Sequence, residues 1–393
     1  MVAYRVSGIV SGESPESLSG DLTLTALPQV QPVWGRPLWE SYGVCSHHFN
    51  NAAYGDVDAW TQKVADLGAY AFRSGAFSQL DQVKRAAVRA RELGLKWLGT
   101  LANEQTTEKQ LRANLDFVAA NADVFIAVEG INEPDGEGLT QAEVDKTVRF
   151  QRIIWEFVTS RPELDHITVL SPALRRPAGP DLYQRFVDAG MLGTFHAVSL
   201  HHYLNGPPDM ADLREHLDMV QGKWKCDRFW ITETGGTTAL ESKDPRRNTE
   251  EALAAYAVRT LLEFRSDPRV EKVFRYELLD DAGPLTNNEA YFGLWRADGT
   301  QKPEIPELQT FLRAVHDTAE PYTPPPIDLE VIAPDGVQWM AIGNATVPPG
   351  ETLWLWRPGV AHDVAPVTVG LTMQSGAYTV QVGGAAVGVP LEV

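Results

Sequence analysis

The chain has 393 residues, more than one ordinary domain, and it is acidic: 52 Asp and Glu against 34 Lys and Arg give a net charge of −18. Such a surface repels phosphate backbones and anionic headgroups, which argues against nucleic-acid and membrane partners. With 44% hydrophobic and 22% charged residues the composition is that of an ordinary globular protein, and the length suits a barrel of about 250 residues with an appended module.

In chain order, residues 1–32 alternate weakly around a Ser/Gly/Glu-rich stretch and read as a β segment. No basic stretch followed by an apolar run of about 7 to 15 residues opens the chain, and no run approaches about 18 apolar residues. Neither a signal peptide nor a membrane span is expected, which leaves a cytoplasmic protein or one displayed outside by a non-signal route. From residue 38 onward, strand-like runs alternate with helical patterns, the signature of βαβ units and a parallel sheet. Eight strand candidates begin near Glu40, Ala69, Leu95, Val124, His166, Phe195, Arg228 and Lys272, at intervals of 26 to 44 residues. Each interval holds one strand, one helix and two loops.

The intervening helices carry their own signals. Asp56 caps a helix with the apolar face Trp60, Val64 and Leu67, and Gly68 stops it. Thr107 with Gln110, and Thr140 with Glu143, have the spacing of capping boxes. Leu111, Leu115 and Val118 follow the first box, and Val144, Val148 and Trp155 the second, as helices packed on a sheet require. Eight strand–helix pairs in series predict an α/β fold, a (β/α)8 TIM barrel over residues 33–320. The proline-rich stretch at 321–326 then breaks the pattern, and residues 327–393 read as a small all-β, sandwich-like module to which residues 1–32 add strands. Cys45 and Cys226, 181 positions apart beside apparent strands, read as free thiols rather than a bridge.

Polar residues mass at two strand ends. Val124–Val128 runs into Glu129, Gly130, Ile131, Asn132, Glu133 and Pro134, and Phe229–Thr232 runs into Glu233 and two glycines. Residues 38–318 resemble the retaining (β/α)8-barrel glycoside hydrolases of the cellulase and β-xylosidase superfamily, in which the acid/base Glu follows an Asn at the end of strand four and the nucleophile Glu ends strand seven. The carriers of that resemblance are Asn132-Glu133-Pro134 and Ile231-Thr232-Glu233, 100 residues apart, with Arg73 in strand two, His201 and Tyr203 after strand six, and the Tyr291–Pro303 stretch before the last helix. Members commonly carry a Trp at the end of strand eight; here the run is Phe274 to Asp280, with Tyr276 or a loop aromatic in its place.

The resemblance implies a glycosidase with a carbohydrate substrate and no cofactor or metal. It casts Glu133 as acid/base and Glu233 as nucleophile, with Asn132 binding the hydroxyl beside the anomeric carbon, Arg73 keeping Glu233 ionised and Tyr203 hydrogen-bonding it. Glycoside cleavage needs one carboxylate to attack and one carboxylic acid to protonate the leaving oxygen, and about 5 to 5.5 Å between them suits the nucleophilic route. A neighbouring carboxylate is expected to raise the acid's pKa.

Structural roles compete with each assignment. Arg73 could be a structural ion-pair partner, and His201, His202 and Tyr203 could cap a strand end. His47, His48 and Asn103 also sit at strand ends, Asp280 and Asp281 suit loop caps, and Trp34, Trp39, Trp224 and Trp295 are either sugar platforms or core. Two other classes fit the pattern: a noncatalytic carbohydrate-binding or structural component of a cell-surface or virion assembly, and a metal-dependent barrel hydrolase using His47, His48, His201, His202 and Asp280. Adjacent strand histidines point to opposite faces, so each pair offers one inward ligand.

Overall fold

The computed structural model describes residues 38–47, 52–136, 138–175, 179–206 and 208–316, together with the backbone of strands between 2 and 26 and between 340 and 381. His48, Trp34, the 321–326 linker and the expected strand at 329–332 lie outside the described residues. The chain divides into two units, one of residues 1–38, 255–268 and 310–393, the other of residues 39–254 and 269–309.

In the first unit, β1 (Val2–Ser11) and β2 (Glu16–Ala26) pair antiparallel from Val2↔Leu24 to Val10↔Glu16. The strands of the second unit, described next, are β3 to β10. In the first unit β11 (Met340–Ala341), β12 (Leu353–Trp356), β13 (Val364–Gly370) and β14 (Thr379–Gln381) complete a six-stranded sheet, ordered β11-β12-β13-β2-β1-β14.

The second unit holds eight parallel strands: β3 (Tyr42–Cys45), β4 (Ala71–Gly75), β5 (Lys96–Ala102), β6 (Phe125–Ile131), β7 (Thr168–Val169), β8 (Val198–His201), β9 (Phe229–Thr234) and β10 (Val270–Arg275). Their order is β7-β6-β5-β4-β3-β10-β9-β8. Parallel bridges Leu170↔Ala197 and Leu174↔Leu200 join the two outer strands, so the sheet curls into the ring of a (β/α)8 barrel. Helices cover the outside and side chains fill the inside, so strands such as β4 are buried throughout and read as continuous apolar runs. The interior cluster includes Cys45, Ala71, Leu98, Ala127, Leu170, Ala197, Trp230 and Phe274, one from each of the eight strands or its immediate extension.

Between the strands run α1 (Val57–Leu67), α2 (Asp81–Leu93), α3 (Glu108–Ala120), α4 (Gln141–Thr159), α5 (Pro180–Asp188), α6 (Met210–Trp224) and α7 (Glu250–Ser266), with α8 (Glu304–His316) after the eighth strand. The Asp56 side chain accepts from Ala59 N at 3.0 Å, and Gly68 ends α1 at φ 82°. Both capping boxes form, and the expected apolar faces are buried except at Trp155, which is half-buried. Both cysteines are free thiols. Among the described residues no helix is long and apolar enough to cross a membrane.

Candidate active site

The polar residues of the fourth, sixth and seventh barrel strands meet at one end of the barrel. On β6, Gly130 is dictated by its neighbour on α4: an added Cβ would fall 2.6 Å from Gln151 Oε1. Gln151 in turn donates to Leu170 O at 2.9 Å and Thr194 O at 2.8 Å, tying α4 to the end of β7 and to the approach to β8. Past the strand, Glu133 has φ 43°, the left-handed region that costs a non-glycine residue about 1 kcal/mol or more. A hydrogen bond from Glu133 N to Ala173 O at 3.0 Å and the side-chain contacts below hold it there.

Arg73, buried on β4, organises the centre. Its Nε donates to Glu129 Oε2 at 2.7 Å, Nη1 to Glu233 Oε1 at 2.7 Å, and Nη2 to Asn132 Oδ1 at 2.5 Å. Glu233, at the end of β9, accepts from the Tyr203 hydroxyl at 2.5 Å through its other oxygen. His201 stands between the two glutamates, with Nδ1 at 2.8 Å from Glu133 Oε1 and Nε2 at 3.3 Å from Glu233 Oε1. Ligand-type atoms of Glu133, His201 and Glu233 all lie within 4.8 Å of one another. The structure thus brings together Arg73, Asn132, Glu133, His201, Tyr203 and Glu233.

These contacts fix the electrostatics. Burial alone would lower the His201 pKa, but the charge of Glu233 and the hydrogen bond and charge of Glu133 raise it overall. The Tyr203 hydroxyl is pushed well up by burial and by the charge of Glu233, so it remains a donor. For Glu133 the expected rise is not found. Burial does push it up, but the hydrogen bond and charge of His201, and then Arg175, outweigh it and bring the carboxyl down to about 2. Arg175 Nε sits 2.9 Å from Glu133 Oε2.

A cavity of about 420 Å³ opens over this network, lined by His47, Arg73, Asn103, Asn132, Glu133, Arg175 and Glu233 among others. His202 turns the other way, toward Asp212 and the His216 ring, as strand alternation requires. Asp280 is buried against Lys302 Nζ at 2.8 Å and Gly293 N at 2.7 Å. The metal set of His47, His201, His202 and Asp280 therefore does not converge among the described residues. In the trio that does converge, each carboxylate already accepts from an arginine, Glu233 from Arg73 and Glu133 from Arg175. Trp224 packs among Tyr183, Phe186 and Phe195, and Trp295 is buried. Trp39 donates its indole N–H to Gly68 O at 2.7 Å. All three serve packing. Tyr276 stands at the end of β10 with its ring 5.9 Å from Tyr203 and 5.3 Å from His47.

Three residues at the site were not singled out for a role by the sequence. Arg175 follows β7. Glu277 follows β10, where it accepts from the Tyr54 hydroxyl at 3.1 Å and lies 3.4 Å from His47 Nδ1; burial pushes its carboxyl well up. Glu129, on β6 and fully buried, accepts from Arg73 and from Ser199 Oγ at 2.7 Å. Glu129→Ala leaves Arg73 paired with Glu233 but takes the acceptor from Arg73 Nε and from Ser199 Oγ in the barrel interior, so it should lose about 1–3 kcal/mol of unfolding free energy in urea titration, the cost of buried polar groups left without a partner. A loss below about 1 kcal/mol, the level of an exposed pair, would refute a supporting role for Glu129.

A parallel barrel carrying two carboxylates at the ends of its fourth and seventh strands, beneath a polar cavity, defines a glycosidase-type hydrolase. The chain belongs to the glycosyl hydrolase catalytic core family, whose profile matches residues 70–301, and it is a glycosidase. Among solved structures it is similar to a family 39 glycoside hydrolase from the gut symbiont Bacteroides cellulosilyticus WH2, with 15% identity, a TM-score of 0.59, and coverage of 95% of this chain and 84% of that one. It is also similar to a glycoside hydrolase family 17 β-1,3-glucanosyltransferase from Rhizomucor miehei, with 18% identity, a TM-score of 0.51, and coverage of 67% of this chain and 96% of that one.

Proposed function

We propose that the protein is a retaining glycoside hydrolase that cleaves O-glycosidic bonds of a poly- or oligosaccharide by double displacement, with Glu233 as nucleophile and Glu133 as acid/base. The observation that carries this reading is the approach of Glu133 and Glu233 carboxylate oxygens to within 4.8 Å. That spacing leaves no room for a water between carboxylate and sugar, whereas inverting enzymes separate the two groups by about 6.5–9.5 Å.

In the first displacement a Glu233 oxygen bonds to the anomeric carbon, the glycosidic C–O bond breaks, and the Glu133 proton passes to the leaving oxygen. In the second, Glu133 takes a proton from water, whose oxygen attacks the anomeric carbon and releases Glu233. Arg73 and Tyr203 hydrogen-bond one Glu233 oxygen each and hold the side chain aimed. Because Arg73 occupies Asn132 Oδ1, the Asn132 amide presents its N–H groups to the hydroxyl next to the anomeric carbon. Arg73 and His201 are buried and spend their polar atoms on the carboxylates, so they support the site more than they touch the sugar.

The test is hydrolysis of a glycan panel spanning glucans, xylans, mannans and galactans, with proton NMR of the first product. The expected product has the substrate's own anomeric configuration. An inverted product, or no hydrolysis across the panel, would reject the proposal.

A further inference from the structure

Both oxygens of the Glu133 carboxylate are occupied, Oε1 by His201 Nδ1 at 2.8 Å and Oε2 by Arg175 Nε at 2.9 Å. Each oxygen keeps a second lone pair, yet a sugar oxygen that enters the cavity to take the Glu133 proton competes with whichever of these contacts faces that cavity. The two contacts are unequal. The His201 side chain is 1% exposed, and its other nitrogen lies 3.3 Å from Glu233 and 3.4 Å from Arg73 Nη2, so moving it would disturb both carboxylates. The Arg175 side chain is 53% exposed and lines the cavity, and ion pairs in such settings are weak. Its backbone N–H is anchored separately, on both oxygens of Asp135 at 3.0 Å, so the side chain can swing while the Arg175 backbone stays in place.

We propose that Arg175 is a positioning residue that latches Glu133 until the leaving-group sugar displaces it from Oε2, after which the freed guanidinium hydrogen-bonds that sugar. The inference rests on Glu133 being the acid/base. Exchange of a cation for a neutral sugar oxygen removes the Arg175 charge from Glu133, and the carboxyl then takes its proton from solvent once the bond to be cut is in place. The charged groups facing Glu133 are His201 from β8 and, through it, Glu233 from β9; Arg175 after β7; Asp135 on its own loop; and Arg73, which reaches Asn132 from β4. Glu104, after β5, acts on Arg175. Among these cations Arg175 is the exposed one.

The experiment is a pH titration of the Glu133 carboxyl by carbon-13 NMR, its signal assigned by its loss in Glu133→Gln. Arg175→Gln should raise the titration by about one pH unit, the low end for an arginine–carboxylate contact, and Arg175→Lys, which keeps the charge, should shift it much less. With the glycan found in the panel at saturation, the basic limb of kcat, which reports the bound complex, should coincide in Arg175→Gln and the unmutated protein, because the latch is already off. A Glu133 titration unmoved by Arg175→Gln, an equal shift in both variants, or a kcat limb that moves with the substitution overturns the proposal. The titration needs no turnover. Unchanged rates in Glu133→Gln would therefore sink the acid/base reading separately.

Discussion

Glu233→Ala is expected to lose glycan hydrolysis by a factor on the order of 10⁴ or more, the scale seen when a nucleophile is removed from a catalytic unit. No other described side chain stands where Glu233 stands, with one oxygen on Arg73 and the other on Tyr203, so the covalent intermediate has no substitute carrier. The fold should survive. Arg73 keeps Glu129 at 2.7 Å and Asn132 at 2.5 Å, and its charge therefore remains compensated inside the barrel. The informative result is a loss of turnover with near-unchanged unfolding free energy. With no covalent intermediate the leaving group should matter little, and added azide, attacking from the side Glu233 vacates, should give the glycosyl azide of opposite anomeric form. Retention of near-normal rates, or an azide product of the substrate's own configuration, would exclude Glu233 as nucleophile.

The sequence carried the barrel well because parallel strands sheathed by helices are buried on both faces and read as short apolar runs between capped helices. All eight strands were legible for that reason. Their lengths were less so. The run at 166–172 promised a full strand but yields only Thr168–Val169 plus isolated bridges at Leu170 and Leu174, because Pro172 has no N–H to continue the ladder. Glu133 and Glu233 announced themselves as charges at strand ends. Glu277 gave the same kind of signal, a carboxyl at the end of the strand run Phe274–Leu279, and it is buried. Arg175 gave none. It follows a proline in an irregular loop 42 residues from its partner, where neither periodicity nor spacing speaks. That gap explains the misjudged electrostatics of Glu133: the expected rise considered the neighbouring carboxylate, whereas Arg175 and His201 supply the charges that prevail.

The lowered Glu133 carboxyl sharpens the test of its role. A group this acidic cannot protonate a leaving oxygen at neutral pH unless substrate binding changes its surroundings, so its contribution should depend on how much help the leaving group needs. Glu133→Ala should depress glycosylation of a natural sugar-linked substrate by roughly 10² to 10⁴, the usual range for general acid catalysis, and an activated nitrophenyl glycoside far less, because nitrophenolate departs unprotonated. Deglycosylation should slow on both substrates, since the same residue activates water. Azide needs no such activation. It should restore turnover and give a glycosyl azide with the substrate's anomeric configuration, opposite to the product expected from Glu233→Ala. Loss of Glu133 also leaves His201 and Arg175 without a partner at the cavity edge. The exposed Arg175 then turns to water at little cost, and His201 keeps Glu233 at 3.3 Å, so the variant should stay folded. Equal losses on both substrate types would show that Glu133 does not act as the acid, and azide products of inverted form would reverse the two assignments.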